Sequence, residues 1–90
     1  MRAAEYSVRF ERDLRLAEKR GKDIAKLKRL IALLVVGEPL PRMYGDHPLK
    51  GKWIGYRDAH IESDWVLIYK LVGEKVRLQR TGTHSDIFDE

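Results

Sequence analysis

The 90-residue chain has no cysteine, so neither a disulfide nor a thiolate metal site braces it. Nowhere does it offer the roughly 18–20 consecutive apolar residues that a membrane-spanning helix needs. Its opening, MRAAEYSVRFERD, lacks the apolar stretch of a signal peptide, and a soluble, cytoplasmic protein is expected. There is no internal repeat, low-complexity tract or linker, so residues 1–90 read as one domain. A chain of this size buries only about 60–65% of the surface it exposes when unfolded, which leaves a small core. Gly-rich phosphate loops, the GxGxxG fingerprint and the GxSxG elbow are absent too. Nucleotide hydrolysis and serine-hydrolase chemistry therefore have no support.

Charge is abundant and unevenly spread. Residues 1–36 hold 10 Lys/Arg against 5 Asp/Glu, whereas residues 37–90 hold 8 against 9. The net charge of +4 is therefore carried by the N-terminal part. Such a surface favours a polyanion such as RNA, DNA or an acidic protein segment, and serves equally as a solvated helix face. All three histidines, both tryptophans and all three prolines fall in the second part.

Residues 2–6 read as a short strand and Ser7 as a helix N-cap. Phe10, Leu14 and Ala17 recur at helical spacing up to Arg20, where Gly21 suits a C-cap. Asp23 can cap a second helix with Ile24, Leu27, Ile31 and Leu34 on one face. Its end, LIALLVV, predicts burial over a wide arc, and Gly37 closes it. The resulting αα-hairpin exposes Arg12, Arg15, Lys19, Lys22, Lys26 and Arg29. Residues 37–52, GEPLPRMYGDHPLKGK, hold three prolines and three glycines and no period; connections of that length are often functional. Three strands follow at Trp53–His60, Trp65–Leu71 and Glu74–Thr81, with a tight turn at Val72-Gly73-Glu74. Ser85 suits the cap of a last helical turn. The order β-α-α-β-β-β predicts an α+β fold with the αα-hairpin packed on one face of a mostly antiparallel sheet. The other face would be open to a ligand.

Histidine exchanges protons near neutrality, and His47, His60 and His84 all lie near element ends, where catalytic groups are often displayed. Each taken alone reads more readily as a surface or hydrogen-bonded histidine. Asp64 follows His60 by four residues across a hairpin turn, so the two can face each other. The carboxylate could then orient the imidazole or act as a base; the plainer alternative is a turn aspartate bonded to backbone. Glu62 reads as a solvated turn residue. Lys50, Lys52, Arg57, Arg77 and Arg80 are candidate cations for a phosphodiester. Strand alternation sets Tyr56, Asp58 and His60 on one face and Arg57 and Ala59 on the other. Either a bulge intervenes or Arg57 is structural, and Asp58 reads equally as a partner for an arginine. Phe88 could stack on a base or plug the core edge. Three histidines and an aspartate suit zinc, but no HExxH or paired-ligand spacing is present, and no metal or other cofactor is expected.

The stretch DHPLKGKWIGYRDAHIESDWVLIYKL, followed by RTGTHSDIF, strongly resembles the YafQ branch of the RelE/ParE toxin superfamily. LAEKRGKDIAKLKRLIALL fits the same pattern, so the resemblance covers nearly the whole chain. It implies a RelE-like microbial RNase fold and a metal-independent endoribonuclease that cuts mRNA in the ribosomal A site by transesterification. Motif by motif, it implies catalytic roles for His47 in DHPL, His60 in RDAH, Asp64 in SDW and His84 in GTH. Asp64 or His60 would be the base and His84 the acid. Phe88, Lys50, Lys52 and Arg80 would contact RNA. The implied partners are the 70S ribosome, mRNA and a RelB/DinJ-type antitoxin through which toxin copies would assemble. Two departures bear on activity: Ser63, where relatives often have proline, and the acidic ending DIFDE, which would repel a phosphate. ParE-type relatives share the fold but inhibit gyrase and lack this histidine–aspartate set. A non-enzymatic toxin, or a module that only docks on RNA or on the antitoxin, is therefore the alternative.

Overall fold

The computed structural model describes residues 1–88. Strand β1 (Ala3–Tyr6) leads into helices α1 (Val8–Lys19) and α2 (Ile24–Val36). Then come β2 (His47–Pro48), β3 (Arg57–Glu62), β4 (Trp65–Val72), β5 (Lys75–Gly82) and α3 (His84–Phe88). The five strands form one sheet in the order β1-β5-β4-β3-β2. β1 runs parallel to β5 and every other pairing is antiparallel. The expected α+β arrangement with a mostly antiparallel sheet is thus present; β2 is added to the expected order, and α3 is the expected last helical turn. Among the described residues no helix is long and apolar enough to cross a membrane.

Local chemistry explains the helix limits. The Ser7 hydroxyl accepts from the Phe10 N–H at 2.9 Å and donates to the Gln79 carbonyl at 2.7 Å, so it caps α1 and ties it to β5. Asp23 caps α2 by accepting from the Ala25 N–H. Gly37 ends α2 at φ +88°, where a Cβ would cost about 1–2 kcal/mol, and its N–H reaches the Leu33 carbonyl. Leu27, Leu30 and Leu34 are buried along α2, while Val36 is half exposed. Ile31, Leu33 and Val35 pack partly buried on the same core, so LIALLVV is covered over a wide arc as expected.

The main core lies between the helices and one sheet face. Phe10, Leu27, Leu30 and Leu34 meet Trp65, Leu67, Tyr69 and Leu78 there. The opposite face is not bare. Val66 and Ile68 pack under Ile87 of α3, with Trp53, Tyr56 and Phe88 at the margin.

Three sequence expectations change. The strand expected at Trp53–His60 starts only at Arg57, because Gly51–Trp53 forms a 3₁₀ turn. Successive turn bonds hold that segment back: Ile54 N–H to Gly51 carbonyl, then Tyr56 N–H to Trp53 carbonyl. Residues 37–52 are more structured than their composition suggests, with a 3₁₀ turn at Arg42–Tyr44 and then β2. Ser85 does not cap α3. Thr83 does: its hydroxyl accepts from the Asp86 N–H and its N–H donates to the Asp86 carboxylate, both at 3.0 Å.

Candidate active site

Alternation along β3 decides what reaches the second face. Ala59 enters the main core, whereas Asp58 and His60 project towards a cleft on the other side. β2 sets His47 opposite Asp58, and α3 opens with His84. Three elements therefore bring three imidazoles into one row. Ring centroids are 6.1 Å apart for His47–His60 and 5.6 Å for His60–His84, and Phe88 extends the row 6.1 Å beyond His84. The row lines an open cleft of about 360 Å³, with Lys50, Trp53 and Asp58 also in its wall.

Asp58 is the buried member, with a side chain only 5% exposed. Its Oδ2 lies 3.7 Å from His47 Nε2 and its Oδ1 lies 3.8 Å from His60 Nδ1. Among the described residues Oδ1 has no hydrogen-bond partner. Burial pushes the Asp58 carboxyl above its ordinary value, and the pull of His60, His47 and His84 only partly offsets this. The sequence left Asp58 as a possible partner for an arginine; it lies instead beneath the imidazoles. The signal was its place in RDAH, two residues before His60 and so on the same strand face.

Asp64 does not face His60 as the hairpin spacing suggested. The β3–β4 register shifts between His60 and Glu62, and α3 returns over the turn. Asp64 Oδ1 accepts from the His84 backbone N–H at 3.0 Å and lies 2.6 Å from His84 Nδ1. Those two contacts, the backbone one first, hold the Asp64 carboxyl below its ordinary value. The bond requires a proton on His84 Nδ1, which leaves Nε2 for exchange with a substrate.

The cations distribute differently from expectation. Lys50 lines the cleft and Lys52 does not. Arg80 sits opposite Ile68 in the ladder, yet its guanidinium turns to Asp13 of α1, with Nε at 2.7 Å and Nη2 at 3.3 Å. The same carboxylate accepts from the Thr81 N–H, so Arg80 locks helix to strand and does not line the cleft. Arg57 is bound to Asp46 and Arg77 pairs with Glu5. Glu62 is no solvated turn residue: Lys22 and Lys26 both donate to it, at 3.2 and 3.1 Å. Positive charge in the cleft therefore depends on Lys50 and on protonated imidazoles.

Phe88 bridges the core edge and the cleft. It packs edge-on to Trp53 and also lines the cleft. Asp86 of the acidic ending is taken by Arg20 at 2.7 Å, which draws its carboxyl down to about 2. Asp89 and Glu90, the rest of that ending, lie outside the described residues. Asp58, His60 and His84 each offer a donor atom within 4.8 Å of the others, a spacing that suits a divalent ion although no sequence motif announced it.

Residues 2–89 match the family described as the bacterial toxin of type II toxin–antitoxin systems, YafQ. The chain is 54% identical over 88 residues to the mRNA interferase toxin YafQ of Escherichia coli strain K12, covering 97% of this chain and 96% of that protein. It resembles the toxin in the crystal structure of the E. coli DinJ–YafQ complex, with a TM-score of 0.91 and 54% identity over 98% of this chain and 99% of that one. A metal-bound toxin from Helicobacter pylori gives a TM-score of 0.91 and 34% identity, covering 98% of this chain and all of that one. With coverage this complete in both sequence and structure, the chain belongs to the YafQ family of type II toxin–antitoxin toxins.

Proposed function

We propose that this toxin is an endoribonuclease that cuts mRNA in the ribosomal A site by metal-independent transesterification. The observation that carries the reading is the Asp64–His84 bond set beside His60 in one cleft. Attack by the RNA 2′-OH on its own phosphate leaves a 2′,3′-cyclic phosphate and a 5′-OH. It needs a base at the 2′-OH, an acid at the departing 5′-oxygen and positive charge at phosphorus. Asp64 orients His84 through Nδ1, so His84 is the acid through Nε2. The same bond makes Asp64 a poorer base, which leaves that role to His60. His47 and Lys50 flank the phosphate, with the buried Asp58 carboxylate beneath His47 and His60. Phe88 offers a stacking surface at the end of the row.

The exposed strip of Arg12, Arg15 and Lys19 on α1 suits ribosomal RNA, so ribosome binding should weaken steeply with salt. Lys22 and Lys26 contribute less, since Glu62 holds them. The DinJ complex of the E. coli relative supports a RelB/DinJ-type antitoxin as partner, with assembly through that antitoxin. The metal-bound H. pylori relative supports a second ligand for the cleft. A divalent ion on Asp58, His60 and His84 would occupy the acid and the base, and would therefore inhibit.

The test is cleavage of a defined mRNA on programmed ribosomes, with and without EDTA, by the parent and by His84→Ala. Cleavage should survive EDTA and fall about 10²–10⁴-fold in the variant. Equal cutting by the variant removes the acid assignment. A folded parent that cuts nothing removes the nuclease reading, and loss of cleavage in EDTA removes its metal independence.

A further inference from the structure

We propose that Asp46, Arg57 and Tyr69 are positioning residues for His47: a clamp on the helix face of the sheet that sets an imidazole on the opposite face. Its kinetic consequence rests on the nuclease reading above; its geometry does not.

β2 is only two residues long, and one of them, Pro48, has no N–H to donate. A ladder so short does not fix a side chain unaided. The segment leading into it is a 3₁₀ turn followed by Gly45, with no strand neighbour on its outer side. Side chains hold it instead. Asp46 Oδ1 accepts from the Tyr69 hydroxyl and from Arg57 Nε at 3.1 Å, and Oδ2 accepts from Arg57 Nη2 at 3.0 Å. Arg57 and Tyr69 are direct partners in the β3–β4 ladder, and Arg57 also faces Pro48 across β2. One carboxylate thus ties the lead-in to β2 to strands β3 and β4 with a forked, charge-assisted pair and a buried phenol. Burial and Asp46 push the Tyr69 hydroxyl well above its ordinary value, so it remains a donor at neutral pH.

Successive side chains on a strand point to opposite faces. Asp46 immediately precedes β2; the clamp holds its side chain on the helix side, and His47, the first residue of β2, stands opposite Asp58 on the cleft side. The same short segment reaches His60. The Tyr44 carbonyl lies 3.3 Å from His60 Nδ1. A Cβ at Gly45, which has φ +54°, would lie 3.2 Å from that nitrogen. Backbone at Gly45 must approach closely and adopt the left-handed region, and its own N–H, bonded to the Arg42 carbonyl, holds it there without the clamp. None of the three clamp side chains lines the histidine cleft, so their effect on cleavage passes through His47.

The test places Asp46→Asn, Arg57→Lys and Tyr69→Phe in the parent and in a His47→Ala background. Two quantities are read: mRNA cleavage on programmed ribosomes, and the histidine ring signals of the folded toxin by NMR. Asp46→Asn should slow cleavage roughly 10–100-fold in the parent, as a misplaced catalytic group does. In the His47→Ala background it should add no more than about 2-fold, the usual additivity error. His47 ring signals should shift or broaden while those of His84 stay in place. Arg57→Lys and Tyr69→Phe, which keep charge or volume, should repeat the pattern at smaller size, so one unfolded variant does not end the test. Equal losses in both backgrounds, parent-rate cleavage by Asp46→Asn, or unmoved His47 signals would overturn the proposal. If the parent cuts no RNA, the nuclease reading fails by itself, and the ring signals alone decide the clamp.

Discussion

Strand β4 feeds both faces of the sheet, and the two faces are built to different rules. Trp65, Leu67 and Tyr69 point to the helices and join a continuous apolar core. Val66 and Ile68, one residue out of phase, meet only Ile87 and a few half-buried side chains. β3 repeats the contrast, with Ala59 buried on the first face and Asp58 and His60 on the second. The second face holds what a core normally excludes: a buried carboxylate with one oxygen that has no hydrogen-bond partner among the described residues, beside three imidazoles. Such groups cost free energy to keep in place. The apolar face supplies the stability that permits them.

The sharpest way to break that contrast is to mutate one residue on each face and measure both stability and cleavage. His60→Ala should lower the cleavage rate about 10²–10⁴-fold and leave the unfolding midpoint nearly unchanged. Leu67→Ala, from a fully buried site, should remove about 2–5 kcal/mol of stability by urea or thermal unfolding, while the fraction still folded cuts at the parent rate. If His60→Ala unfolds the protein, or Leu67→Ala selectively disables folded enzyme, the division between faces is not real.

Asp58 offers a finer test. Its carboxyl binds a proton more readily in the folded chain than in the unfolded one, because burial opposes the charge. It therefore destabilises the fold at neutral pH, and that penalty is relieved as pH falls through its raised value. Asp58→Asn should raise stability by about 0.5–2 kcal/mol at neutral pH and slow cleavage. A destabilised Asp58→Asn would mean that its contacts with the imidazoles outweigh its burial.

The smallest effect has the opposite sign. Asp86, drawn down to about 2 by Arg20, contributes stability that is fully present above its ordinary value near 4. That contribution is lost as pH falls towards 2. α3 should accordingly loosen at acid pH before the main core does. Hydrogen exchange at Ile87, compared with Leu67, reads this directly, and Arg20→Ala should move the loosening to higher pH. Simultaneous opening of both sites would show that α3 has no separate latch.

Much of this was legible from the residues. The helix caps at Ser7 and Asp23, the helical spacing of Phe10 and Ala17, and the apolar run of β4 depend on neighbours within a few positions. So does the rule that Arg57 and His60 could not share a pocket in a regular strand; Arg57 is indeed on the helix side, held by Asp46. The start of β3 was misplaced because turn bonds around Gly51 and Gly55 outweighed the strand preference of Trp53, Ile54 and Tyr56. The candidate site was legible only in its membership, and there through the motif resemblance: His47, His60 and His84 do meet in one cleft.

By itself, the sequence determined which side chains share a strand face and where helices begin, because those follow from backbone periodicity and from groups already adjacent in the chain. Only the tertiary structure decided which charge meets which. Asp64 passes over His60, four residues away, for His84, and Arg80 turns from the cleft to Asp13, 67 residues earlier. An ion pair is set by where two elements come to rest against each other, and that position comes from packing the whole core.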